Sequence, residues 1–249
     1  MAEQIASPAG LVRSEITTRM FLLTTFSRIT DQTAPVAIYI EGDGFAWVSR
    51  TEPSTDPTPR NPVGLQLAAR DTSPNVIYLA RPCQYSKGDP SCAVTFWTDR
   101  RFSAEVVASM DEAITIAIHS LRNQSIHLVG YSGGGGIAAL IAHRRQDVAS
   151  LRTVAGNIDH RLFTRLHDVT AMTGSQNPVD IASQLASLPQ VHFVGDDDTI
   201  VPIQVAESFV RAIGDNRCAT ITRVANVTHG DGWPQVWDRV GLRLPQCRK

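Results

Sequence analysis

Gly130-Tyr131-Ser132-Gly133-Gly134 sets a serine in the spacing G-x-S-x-G. A serine hydroxyl is a weak nucleophile. It attacks a carbonyl carbon only when it is exposed and a base takes its proton. The spacing meets the first need. A sharp turn from strand to helix crowds the backbone, so small residues must flank the serine, whose hydroxyl is left projecting above the turn. The helix that follows offers unpaired N–H groups and a positive dipole end to an oxyanion. A glycine-rich turn of this kind can also cradle phosphate. However, Gly133 to Gly136 lack the GK[ST] ending of a phosphate loop and the spacing of a dinucleotide fingerprint. Ser132 is the expected nucleophile.

The elements around the motif have to provide that turn. Residues 125–129 (SIHLV) read as a strand and 137–145 as a helix, so the serine falls between them. Residues 35–40 (PVAIYI) and 75–80 (NVIYLA) are nearly continuous apolar runs, as strands buried on both faces should be. Weaker strands are expected at 12–17, 20–29, 151–155, 191–194 and 219–225. The four prolines within 51–63 mark a loop. Residues 103–121 repeat apolar side chains at helical steps, with Ser103 as N-cap and Glu105 in the first turn. Further helices are expected over 203–213 and from Trp233, where Pro234 suits a first turn. Strands alternating with helices predict an α/β class: a mostly parallel twisted sheet with helices on both faces. No helix separates the first two strands, so the sheet should open antiparallel. The whole chain, 1–249, reads as one domain. Residues 157–188 are more than one crossover helix needs, and are expected to form a small cap.

The motif and this element order resemble the α/β-hydrolase superfamily, over about residues 12–240. The resemblance implies a chain order of serine, acid, histidine. His192 to Pro202 (HFVGDDDTIVP) is similar to the family's G-x-x-D-x-x-V-P segment, which makes Asp198 the acid. Asp196 and Asp197 are rivals that would otherwise form the turn. The base belongs in the loop after the last strand, where His229 lies within Thr228-His229-Gly230-Asp231-Gly232-Trp233. One oxyanion donor is then the N–H of Gly133. The other comes from Glu41-Gly42-Asp43-Gly44 after the third strand, with Asp43 first and Gly44 second. The family commonly has His-Gly where this chain has Glu41-Gly42. Glu41 is expected to hydrogen-bond its own loop. Phe45, Trp47 and Tyr131 are expected to line an apolar pocket; Trp97 and Trp233 also lie near motif loops, with core packing as the alternative for all five. Arg100 and Arg101 read as a solvated helix start, and Asp159 and His160 as a structural pair.

The chain has 249 residues, 43% hydrophobic and 19% charged, with 23 basic against 24 acidic residues and a net charge of −1. That balance predicts no nucleic-acid partner. No apolar run is long enough for a transmembrane segment. Four cysteines can pair in three ways, or stay free in a cytoplasmic enzyme. The economical pairing is Cys83 with Cys92 and Cys218 with Cys247. None has the CxxC spacing of a metal site, so neither metal nor cofactor is expected. Residues 1–10 lack the basic head and apolar core of a signal peptide. Disulfides nevertheless point to a periplasmic or extracellular setting. The stretches RPCQYSKGDPSC and FWTDRRFS are similar to a group of exported or lipoprotein-like bacterial α/β-hydrolases. The expected activity is hydrolysis of small or medium carboxylic esters by a monomer or weak oligomer. A thioesterase, a peptidase, a polyester hydrolase and a catalytically silent binding protein on the same fold are the alternatives.

Overall fold

A computed structural model describes residues 1–86, 88–215 and 217–248. Eight strands form one sheet: β1 (Val12–Thr17), β2 (Leu22–Ile29), β3 (Val36–Ile40), β4 (Asn75–Leu79), β5 (Ile126–Tyr131), β6 (Val148–Val154), β7 (Gln190–Gly195) and β8 (Ala219–Val224). Their spatial order is β1-β2-β4-β3-β5-β6-β7-β8. β2 runs antiparallel to both β1 and β4, and all later pairs are parallel. The sheet therefore opens antiparallel as expected. β2 starts at Leu22 rather than at residue 20, because Thr18 closes a turn: its hydroxyl donates to the Phe21 carbonyl and accepts the Phe21 N–H.

The continuous apolar runs are explained by two cores, one on each face. Val36, Ile38 and Ile40 of β3 enter one core, and Ala37 and Tyr39 enter the other. The first core is covered by α3 (Ala104–Ile118), α4 (Gly133–Arg144) and α6 (Ile203–Ile213), the second by α1 (Ala2–Ala6), α2 (Val63–Arg70) and α7 (Trp233–Val240). Ser103 caps α3 by accepting the Val106 N–H, as its position predicts.

Two helix starts beside Ser132 and Glu41 differ from the sequence reading. α4 begins at Gly133, four residues before the expected start. Four successive glycines look unfavourable for a helix, but no larger residue fits: a Cβ on Gly134 would lie 2.3 Å from the Ile40 carbonyl oxygen. The other is α2, which has no local signal. Pro62 precedes it without a side-chain cap, and its N–H groups at Gly64 and Leu65 bond instead to Glu41 at the end of β3.

Residues 157–188 hold α5 (His160–Leu166) and a 3₁₀ segment, Pro178–Leu185, that packs on α4 and α6. Asp159 caps α5 and also bonds Asn177 and Ser208.

Candidate active site

β3 and β5 lie side by side, and the chain leaves β3 and returns through β4 on the far side before reaching β5. Loops after such a pair diverge and leave a crevice at the carboxyl ends of the strands. Ser132 sits there, directly after β5. Its φ of 51° and ψ of −120° are a strained conformation for a residue with a side chain. The strain is held by the fixed backbone around it: the Ser132 N–H donates to the Val154 carbonyl, and its carbonyl accepts from Gly135 and Asn157.

His229 Nε2 lies 3.0 Å from Ser132 Oγ, and His229 Nδ1 lies 2.9 Å from Asp198 Oδ2. A carboxylate only accepts, so Nδ1 carries the proton and Nε2 is the free lone pair facing the serine hydroxyl. The other Asp198 oxygen accepts the N–H groups of Ile200 and Val201, both at 2.8 Å, which fixes the carboxylate. Asp196 is turned away to Arg223, and Asp197 is exposed. Of the three successive aspartates, only Asp198 is brought to His229.

The His229 backbone is held as firmly as its ring. Its carbonyl accepts from Tyr131 Oη at 3.0 Å and Trp233 Nε1 at 3.2 Å. Burial pushes the Tyr131 hydroxyl well above its ordinary pKa, so it remains a donor. Tyr131 also lies 5.4 Å, ring to ring, from the imidazole.

The loop after β3 and the start of α4 meet beside Ser132, with the Asp43 side chain against Gly133. A Cβ on Gly42 would meet both Ser132 Cβ and the Tyr131 ring at 3.1 Å, so the loop after β3 presses on the elbow. Among the described residues, neither the Asp43 N–H nor the Gly133 N–H has an acceptor. Gly44 takes a φ of +66° and packs on the Pro57 carbonyl oxygen, while the Asp43 side chain lies against Gly133. Glu41 is buried, and its carboxylate accepts the N–H groups of Gly42, Gly64 and Leu65 and the Tyr78 hydroxyl. Burial pushes its carboxyl above the usual range, and these four hydrogen bonds pull the other way. Glu41 thus ties the loop to α2, in keeping with the expectation that it bonds its own loop.

A cavity of about 1130 Å³ opens over Ser132 and His229. Phe45, Trp47 and Tyr131 lie in its wall, together with Phe163 and Met172 from the 157–188 segment and Ile200 from the acid loop. Trp97 and Trp233 are not in the wall. Both are core residues, Trp97 donating to the Ser54 carbonyl. Arg101 corrects the reading of a solvated helix start. Arg100 does pair with Glu105 at the surface, but Arg101 is nearly buried, lines the cavity and pairs with Asp43. Arg81, two residues after β4, pairs with Asp43 as well. Both lie in the stretches RPCQYSKGDPSC and FWTDRRFS, which gave neither of them a role at the site. For Arg81 the usable signal is position, two residues beyond an apolar parallel strand at the crevice end of the sheet; Arg101 follows no strand and has no such signal.

Both expected cysteine pairs form disulfides, Cys83–Cys92 and Cys218–Cys247. Among the described residues, no helix is long and apolar enough to cross a membrane.

No family profile matches the chain, and no curated protein does. Solved structures do. An alpha-beta serine hydrolase homologue from Coxiella burnetii is 18% identical with a TM-score of 0.59, covering 88% of each chain. Est1E from Butyrivibrio proteoclasticus is 13% identical with a TM-score of 0.61, covering 90% of this chain and 93% of that one. XC6422 from Xanthomonas campestris, a serine hydrolase without a lid, is 14% identical with a TM-score of 0.53, covering 88% and 85%. At such low identity the likeness lies in the path of the backbone. That path, followed over nearly the whole length of each chain, is the α/β-hydrolase fold, and this chain adopts it.

Proposed function

We propose that the chain is a serine hydrolase that cleaves carboxylic esters through an acyl-enzyme. The observation that carries this reading is the series of two hydrogen bonds, Ser132 to His229 to Asp198, opening into a cavity with apolar walls. In this reading His229 Nε2 takes the hydroxyl proton as Ser132 Oγ bonds to the ester carbon. Asp198 holds the imidazole tautomer and stabilises the imidazolium. The carbonyl oxygen, now an oxyanion, is met by the N–H groups of Asp43 and Gly133, with Gly44 the alternative to Asp43. His229 returns the proton to the leaving alcohol. A water molecule, deprotonated by the same imidazole, then releases the acid and restores Ser132.

The whole chain acts as one catalytic domain, with 157–188 as a small cap whose Phe163 and Met172 face the acyl group. Phe45, Trp47 and Tyr131 provide the remaining apolar contact. Two disulfides favour an oxidising compartment, periplasmic or extracellular.

The test is reaction with a fluorophosphonate probe, followed by intact mass and peptide mapping. One adduct on Ser132, lost in Ser132→Ala and strongly slowed in His229→Ala, is the expected result. Folded protein that stays unmodified would overturn the reading in favour of a catalytically silent binding protein. Rates on matched ester, thioester and amide substrates then separate an esterase from a thioesterase or peptidase.

A further inference from the structure

Asp43 puts a carboxylate where the proposed reaction needs to stabilise a new negative charge. A Cβ built on Gly133 would lie 2.0 Å from Asp43 Oδ1, so the carboxylate is packed on the residue that offers the first oxyanion donor. Alone, it would oppose the oxyanion. It is not alone: Arg81 Nη1 donates to Oδ1 at 3.1 Å, and Arg101 Nη1 donates to Oδ2 at 2.9 Å. The Arg81 and Arg101 side chains are 4% and 12% exposed, and that of Asp43 is 16% exposed, so the cluster is little screened by solvent. Two guanidiniums thus offset the one Asp43 carboxylate.

The cluster is also braced from outside. Arg81 Nη2 donates to the Arg101 carbonyl, and Arg101 Nε donates to Met172 Sδ at 2.8 Å. Gln84 Nε2 donates to the Gly42 carbonyl at 2.9 Å, while its Oε1 accepts the Arg81 N–H at 3.1 Å. The Asp43 loop is therefore gripped at Gly42 and at the Asp43 carboxylate by the segment that follows β4.

We infer that Arg81 and Arg101 are positioning residues for this reaction: they clamp the Asp43 carboxylate so that the loop carrying the Asp43 N–H stays against Gly133. The inference rests on the ester-hydrolase reading. The oxyanion exists only after attack, so the clamp acts on the transition state and its loss belongs in kcat rather than KM.

The experiment uses the full chain, p-nitrophenyl butyrate turnover and the rate of fluorophosphonate reaction, with thermal midpoints to check folding. Asp43→Ala keeps the N–H but removes the clamp, and kcat should fall about 10–100-fold with KM within about threefold. Arg101→Gln should behave alike, and Arg101→Lys should recover part of the loss. The double variant Asp43→Ala/Arg101→Gln should be no slower than the worse single variant, because the residues act as one unit. Wild-type kcat in Asp43→Ala, a loss confined to KM, or multiplicative losses in the double variant would each overturn the inference. Should Asp43→Ala not fold, equal kcat in wild type, Arg101→Lys and Arg101→Gln would overturn it. A wild-type chain inert to both ester and probe removes the ester-hydrolase reading and this inference together. A reactive wild type with an unimpaired clamp variant removes only the inference.

Discussion

At the scale of single residues, the site depends on orientation more than on residue identity. Asp198→Asn leaves the shape of the site intact, but an amide can turn its donor toward Nδ1 and hold the wrong imidazole tautomer. We expect kcat to fall roughly 10³–10⁴-fold with KM little changed. A loss below tenfold would show that Asp198 does not set the tautomer. The imidazole must be neutral to accept the Ser132 proton, so kcat/KM should also fall on the acid side. A rate that stays level through the acid range would exclude His229 as the base. Asp198 could be chosen from three adjacent aspartates through the V-P that follows it, because Ile200 and Val201 supply the N–H groups its second oxygen accepts. Arg81 and Arg101 were not legible in this way. Their roles are fixed by contacts 38 and 58 residues away in the chain.

At the scale of elements, two features tie the loop after β3 in place. Glu41 joins that loop to α2, and its removal would leave three buried N–H groups without an acceptor. Glu41→Ala should therefore lower stability by several kcal/mol, at about 1–3 kcal/mol per orphaned donor, and Glu41→Gln, which keeps one acceptor, by less. Urea midpoints measure this, and an unchanged midpoint in Glu41→Ala would refute it. The Cys83–Cys92 disulfide closes a loop that holds Gln84 and starts two residues after Arg81. Cys218–Cys247 ties the start of β8 to the C-terminal tail, at the opposite end of the strands from Ser132. Replacing Cys83 and Cys92 by serine should lower both kcat and thermal stability, whereas replacing Cys218 and Cys247 should lower stability alone. Equal kcat in the two variants would break the link between the first disulfide and the site. α2 escaped the sequence reading for the same reason that Glu41 matters: its cap is supplied 23 residues earlier rather than by its neighbours.

At the scale of the whole molecule, packing on and beside the sheet draws three histidines out of solvent to different depths. His192 of β7 is fully enclosed, bonded to Thr153 and Gln190, and burial pushes its imidazole down to about 3. His127 and His160 are lowered by burial as well. An imidazole lowered in the folded state binds fewer protons there than in the unfolded chain, whose value is about 6.5. Stability from His192 is therefore complete above about pH 6.5 and is lost as pH falls toward 3, at about 1.4 kcal/mol per pH unit. His192→Gln should shrink the drop in urea midpoint between about pH 7 and pH 4.5. An equal drop in wild type and variant would contradict the assignment.

The sequence by itself determined what depends on near neighbours in the chain. Residues 130–134 set the turn, the apolar runs 35–40 and 75–80 mark buried strands, and Ser103 starts α3. Fold class follows from such local patterns, because strand, turn and helix preferences act over a few residues, whereas the order serine, acid, histidine is what the resemblance to the α/β-hydrolase superfamily implies. Only the tertiary structure decided which partners meet across long separations. It turned Arg101 inward to Asp43, made Glu41 the cap of α2 and brought Phe163 and Met172 into one cavity with Phe45 and Trp47. The reason is physical: a buried charge or an unpaired helix N–H is satisfied by whichever group the packing brings within about 3 Å, and distance along the chain has no part in that selection.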